Sequence, residues 1–305
     1  TVLNALTLQD ALEKKGVLVS QMHFVTTVIE HSSILECFRE LESRGAKVDY
    51  ASVRENGIVD PKVIEKLLKP ETVLVSVGYA NNEIGTIQPI REISKLLKNH
   101  SIPFTLNPKP FLHSDSSQAP LFLDCMVERL GVDLMTLDGH KMYGPKGVGA
   151  LYVKRGTPIF PILFGGGQER GLRSTTENVP GIVGFAKAFE IASLTRKKES
   201  ERLEKLRDYF YFGILQNTEI TNESGENPVT VNGDMKERLP NNINISISGI
   251  DAEFAVLKLD SAGIACSTKS SCLGSDGGSY VVKALGGVEN RHNESLRFTL
   301  GRATT

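Results

Sequence analysis

Val132-Asp133-Leu134-Met135-Thr136-Leu137-Asp138-Gly139-His140-Lys141-Met142-Tyr143-Gly144-Pro145-Lys146-Gly147 is a short apolar run that breaks into a glycine-rich turn carrying a lysine. The run has the length of a buried strand, and strand ends that lead into loops are where open α/β sheets place reacting groups. A lone lysine is ordinarily a solvated surface charge. Whether Lys141 is more than that depends on what the rest of the chain brings to the same edge.

Working outward, strands and helices alternate through the first two thirds of the sequence. Helical periodicity marks residues 34–44, where Ile34, Leu35, Phe38 and Leu41 share a face, residues 63–68 after Pro61, and residues 90–98. Strands are expected over 71–77, 111–115 and 148–153, with a further strand end near Glu30, and a proline-bearing loop over 103–110. This alternation predicts an α/β fold, a mostly parallel sheet with helices on both faces. A long helix over 179–206 carries the chain into a smaller α+β unit with a strand at 242–247, helices at 252–262 and 279–285, and a strand around Arg297. The expected division is a large domain over 1–195 and a small C-terminal domain over 196–305, each of ordinary domain size.

The 305 residues carry 35 Lys and Arg against 36 Asp and Glu, so no field favours nucleic acid or an acidic membrane surface. No apolar run reaches the roughly 18 residues of a membrane span, and no charged-then-apolar leader opens the chain. The cytoplasm, or an organelle matrix, is the expected compartment. Four cysteines, Cys37, Cys125, Cys266 and Cys272, are too few and too irregular for a disulfide framework, and without a Cys-x-x-Cys pair none points to a metal. A special cysteine here is a nucleophile. Cys37 and Cys125 read as buried and inert, whereas Cys272 lies in a run of small polar residues, 267–278, with no packing face. Cys266, read as the end of a strand, is the second candidate.

Asp115 ends a strand and is followed by Ser116-Ser117-Gln118, so a carboxylate and an amide face the crevice where Lys141 emerges. A carboxylate that keeps a pyridine nitrogen protonated, and a lysine for its aldehyde, are what pyridoxal 5'-phosphate requires. His31, at another strand end, is placed to stack on such a ring and to shuttle protons. Asn82, in Asn81-Asn82-Glu83-Ile84-Gly85, either fixes its own turn or bonds cofactor or substrate. Arg297 offers a bidentate clamp for a substrate carboxylate, with Arg302 a weaker competitor.

Glu30-His31-Ser32-Ser33, the 81–85 turn, Asp115 with Gln118, the 139–147 turn, Gly165-Gly166-Gly167-Gln168-Glu169-Arg170 and Leu296-Arg297-Phe298-Thr299-Leu300-Gly301-Arg302 together resemble the cysteine desulfurases of the NifS and IscS kind. The similarity runs in order through nearly the whole chain. Those enzymes are homodimers of the class V aminotransferase type with the type I pyridoxal phosphate fold. The resemblance implies that Lys141 forms the Schiff base, Asp115 binds the pyridine nitrogen, and Gln118 and Asn82 bond the phenolic oxygen or substrate. It implies that His31 stacks on the ring, that His140 and Asp138 contact the phosphate, and that Thr176 reaches the phosphate of the partner subunit. Position 138 is a small residue in better-known members, and a carboxylate beside a phosphate dianion repels it unless protonated or turned away. Family members carry further residues before the position of Thr1, including part of the phosphate cup, and a helix after Thr305.

The implied reaction removes sulfur from L-cysteine, giving L-alanine and a persulfide on Cys272 that passes to a sulfur acceptor or an iron–sulfur scaffold protein. A mobile loop suits a nucleophile that must deliver its cargo. Selenocysteine lyase, which shares the fold, and a catalytically impaired scaffold are the alternatives.

Overall fold

His23–Thr27 (β1) and Thr72–Ser76 (β3) are buried along their whole length, as strands flanked on both edges and covered on both faces must be. In this computed structural model, residues 13, 16–100, 109–161, 163–217, 227–269, 278–287 and 290–305 are described. Cys272, most of the proline-bearing loop and the first residues of the chain lie outside them.

The first compact unit comprises Thr1–Ala51, Asp60–Tyr79 and Pro89–Leu194. Its sheet is completed by Lys47–Ala51 (β2), Phe111–Asp115 (β4), Leu134–Asp138 (β5) and Gly149–Val153 (β6), in the order β2-β1-β3-β4-β5-β6. The first five strands are parallel, and β6 returns antiparallel to β5. The α/β class and mostly parallel sheet are therefore those expected, with six strands among the described residues. Ser32–Ser43 (α1) lays Ile34, Leu35, Cys37, Phe38 and Leu41 into the core. Pro61–Leu67 (α2) starts at Asp60, whose carboxylate accepts from Lys62 N, with proline in the first turn where its missing N–H costs nothing. Ile90–Asn99 (α3) buries Ile90, Ile93, Ser94 and Leu97, and the short Val127–Leu130 (α4) is closed by Gly131.

The second unit comprises Ser52–Val59, Ala80–Gln88 and Thr195–Thr305. Its sheet joins Val229–Val231 (β7), Asn242–Ile247 (β8) and Ser295–Thr299 (β9), antiparallel in the order β7-β8-β9. Val229, Ile243, Ile245, Leu296 and Phe298 form its core with Ala252, which opens Ala252–Ser261 (α6). Val179–Leu215 (α5) spans the boundary between the units and runs nine residues beyond the helix expected over 179–206. Residues 80–88 belong to this second unit although first-unit segments flank them in the chain. Their backbone is tied by Ile87 N to Glu237 O at 2.9 Å and by Leu239 N to Gly85 O at 2.9 Å, contacts more than a hundred positions apart in sequence. No helix among the described residues is long and apolar enough to cross a membrane.

Candidate active site

In the first unit the strand order reverses between β1 and β3, and open sheets of this kind bind ligands outside the carboxyl ends of the strands at such a reversal. His31 stands just beyond β1 as the N-cap of α1. Its Nδ1 accepts from Ser33 N at 3.2 Å and pairs with Ser33 Oγ at 2.8 Å. With Nδ1 accepting, the neutral ring carries its proton on Nε2. Asp115 ends β4, half-buried. Its Oδ1 accepts from Ser117 N at 3.0 Å and Ser117 Oγ at 2.5 Å, an Asx turn that fixes the carboxylate at the strand exit. Gln118 follows, also half-buried.

Beside β4, β5 runs into the lysine turn. Gly139 N donates to Val148 O and Gly144 N to Gly139 O, each at 2.9 Å. A Cβ at Gly139 would come within 2.7 Å of Val148 O, so the turn closes only on glycine. Met142 is buried and anchors the turn while Lys141 stays exposed. Asp138 turns onto its own loop: Oδ1 meets His140 Nδ1 at 2.6 Å and accepts from His140 N at 3.2 Å. Thr176 is exposed on the segment that follows the pairing of Leu163 with Arg173.

In the second unit the 81–85 turn is held by Asn81, whose Oδ1 accepts from Glu83 N at 2.8 Å and Ile84 N at 3.0 Å. Asn82 is therefore not the turn-fixing residue. Its backbone oxygen instead accepts from Arg297 Nη1 at 3.1 Å, and Arg297 Nε donates to Ser267 Oγ at 3.1 Å. The guanidinium on β9 is thus held at two points beside Asn82. Burial lowers its pKa, against the pull of the buried Glu83 carboxylate. Arg302 is exposed. Cys266 does not end a strand. It precedes Ser267, which bridges Arg297, and burial raises its thiol pKa, the wrong direction for a nucleophile. Cys37 and Cys125 are buried, and the Cys37 thiol is pushed up to about 11.

Two buried groups at the carboxyl edge of the first sheet carry no sequence-based role. His113, 2% exposed on β4 two positions before Asp115, bonds Ser76 Oγ on β3 at 2.8 Å and Thr136 Oγ1 on β5 at 3.0 Å. Burial brings its pKa down to about 4, opposed by Asp115. Glu30 lies just beyond β1 and accepts from the Gly78 N–H beyond β3. The signal that would have found both is a polar residue inside or abutting a run of otherwise buried residues.

A half-buried carboxylate, an imidazole and an exposed lysine at one edge of an open parallel sheet define an α/β enzyme with the donor set of a pyridine-aldehyde cofactor, and these residues fit that group. The chain belongs to the aminotransferase class-V family, whose model matches residues 4–305. Membership implies use of pyridoxal phosphate. The chain is 42% identical to "Cysteine desulfurase IscS" of Dictyoglomus turgidum over 97% of its own length and 70% of that protein, and 43% identical to "Cysteine desulfurase IscS" of Clostridium botulinum over the same shares. Among solved structures, a "NIFS-LIKE PROTEIN" superposes with a TM-score of 0.84 at 34% identity, covering 99% of this chain and 74% of that one. DndA from Streptomyces lividans superposes with a TM-score of 0.78 at 31% identity, over 96% and 78%.

Proposed function

We infer that this chain is a pyridoxal phosphate-dependent cysteine desulfurase that converts L-cysteine to L-alanine and an enzyme persulfide. The observation that carries this reading is that Lys141 lies on the turn after β5 and Asp115 ends β4, the strand paired with β5, in a chain 42% identical to a cysteine desulfurase. When bound, the cofactor supplies an electron sink next to the substrate's Cα. Lys141 would hold its aldehyde carbon and, as a free amine, move the proton at Cα. Asp115, pinned by Ser117, would keep the ring nitrogen protonated, with Gln118 and Asn82 bonding the phenolic oxygen or substrate. His31 would stack on the ring with its Nε2 proton outward. His140, paired with Asp138, would face the phosphate, which Thr176 of a second copy completes in a homodimer. Arg297, its plane set by Asn82 O and Ser267 Oγ, would clamp the substrate carboxylate through its remaining N–H groups.

The Cys272 thiolate would then attack the substrate sulfur. An S–S bond forms as the C–S bond breaks, the three-carbon product takes up a proton and leaves as alanine, and the persulfide passes to a sulfur-acceptor or iron–sulfur scaffold protein. The test is incubation of the purified protein and pyridoxal phosphate with L-cysteine or selenocysteine, measuring alanine. Alanine from cysteine, with a persulfide on the chain, is the expected result. Alanine from selenocysteine alone overturns it in favour of a selenocysteine lyase, and no alanine from either leaves only a scaffold.

A further inference from the structure

Glu30 is 4% exposed and stands where the strand order reverses. Its Oε1 accepts from Thr27 Oγ1 at 2.7 Å, and Oε1 and Oε2 share the Gly78 N–H at 3.0 and 2.9 Å. Gly78 lies between Val77, whose N–H donates to His113 O at 3.1 Å, and Tyr79, whose N–H donates to Asp115 O at 2.8 Å. One side chain thus ties the exit of β1 to the exit of β3, and the next peptide ties β3 to the residue that ends β4. His31 is the neighbour of Glu30 in sequence. The two residues expected to grip a ring from its face and at its nitrogen are therefore connected through a single carboxylate.

A carboxylate here is costly. Burial pushes its pKa up to about 7 and Asp115 adds in the same direction, against the Gly78 and Thr27 bonds. An apolar side chain would close a strand exit with no such cost. Gly78 is fitted to the carboxylate as well: a Cβ there would come within 3.2 Å of Oε2, tighter than ordinary contact. We propose that Glu30 is a positioning residue for the cofactor, setting the separation between His31 and Asp115 and through it the grip on the ring. The inference rests on the pyridoxal phosphate reading above.

The experiment compares the full chain with Glu30→Gln, Gly78→Ala and the double variant. It reads the Kd for pyridoxal phosphate and the visible spectrum by titration, and the melting midpoint of each protein without cofactor. Glu30→Gln is expected to raise Kd about tenfold, about 1.4 kcal/mol, and to shift the visible band while the midpoint moves only a few degrees. Gly78→Ala, which leaves the carboxylate in place but presses on it, should change Kd and spectrum in the same direction. The double variant should be no worse than the more affected single one, because both act through one contact. If Glu30→Gln, or Gly78→Ala should the former not fold, keeps the parent's Kd and band, the role is purely structural and the proposal falls. Additive effects also overturn it. A parent chain that binds the cofactor with no visible band sinks the underlying reading instead, and the proposal with it.

Discussion

Lys141 and Cys272 divide the proposed chemistry between them, and their variants should fail differently. Lys141→Ala is expected to abolish the visible band with pyridoxal phosphate and to slow alanine formation at least about a hundredfold, the lower range for a lost proton-transfer group. Cys272→Ser should keep the band and the cofactor Kd while forming no persulfide, read by mass spectrometry; persulfide at the parent's level would move the nucleophile to another thiol. Lys141, Asp115 and His31 were legible in the sequence because each is a polar residue closing an apolar run. Glu30 and His113 carry the same polar signal, but their roles are not legible from it, because what makes them consequential is a partner 48 positions away in one case, and 37 and 23 in the other. Their burial makes a pH prediction. His113, neutral in the fold down to about 4, binds its proton more readily when unfolded, so its contribution to stability is full above about 6.5 and is lost as pH falls, by up to about 3 kcal/mol. Glu30, raised to about 7, works the other way: its contribution is present below about 4.5 and lost as pH rises through 7. The two nearly cancel in the parent. His113→Gln should therefore leave a protein less stable at pH 7 than at pH 5 relative to the parent, measured by denaturant unfolding; identical pH dependence in both would refute the assignment.

The strands and helices that sequence patterning found are those with a strong apolar run or periodicity, such as β3, β8 and α3. It missed β2 and β7, and the reason is physical. Lys47–Ala51 is an edge strand with four of five residues partly or wholly exposed, and Val229–Val231 is only three residues long. Neither presents a face that periodicity can detect, and both are held by pairing with a neighbour distant in sequence. Asp133 does the same for the entry to β5. Its Oδ2 accepts from Leu112 N at 3.1 Å and Lys109 Nζ at 2.6 Å, and its Oδ1 accepts from Lys154 Nζ at 3.2 Å, so the start of β4, the start of β5 and the end of β6 meet on one carboxylate. Burial alone would raise its pKa, but the Lys109 and Leu112 bonds outweigh that and hold it below the ordinary carboxylate value. The stability it contributes is thus present at neutral pH and lost only as pH falls below about 3.8. Asp133→Ala, which takes the shared acceptor away from two ammonium groups and an amide, should cost about 3 kcal/mol, measured as a shift in the denaturant midpoint. A loss within about 0.5 kcal/mol, the range of an ordinary surface change, would show that the lysines find water instead.

Residues 52–59 and 80–88 pack in the second compact unit although they lie among first-unit segments in sequence, because hydrophobic pattern reports which residues are buried and not which core buries them. A feature of the first unit bears on the proposed homodimer. Phe164 is 74% exposed, Val183 62% and Val179 59%, in stretches that bracket Thr176 in sequence. Single exposed apolar residues are ordinary, but a concentration of large ones is characteristic of a surface that pairs with another chain. If Thr176 completes the phosphate site of a second copy, these side chains are the natural cover for the approach. Sedimentation equilibrium should then give two chains per particle for the parent. Phe164→Glu combined with Val183→Glu should give one chain, with pyridoxal phosphate affinity falling in step because each site loses the partner's Thr176. Thr176→Val separates the two effects: it should remain a dimer and bind the cofactor about tenfold more weakly, the consequence of a lost hydrogen bond to a charged group. A single chain that binds pyridoxal phosphate as tightly as the parent would show that each copy completes its own site, and Thr176 would have no part in it.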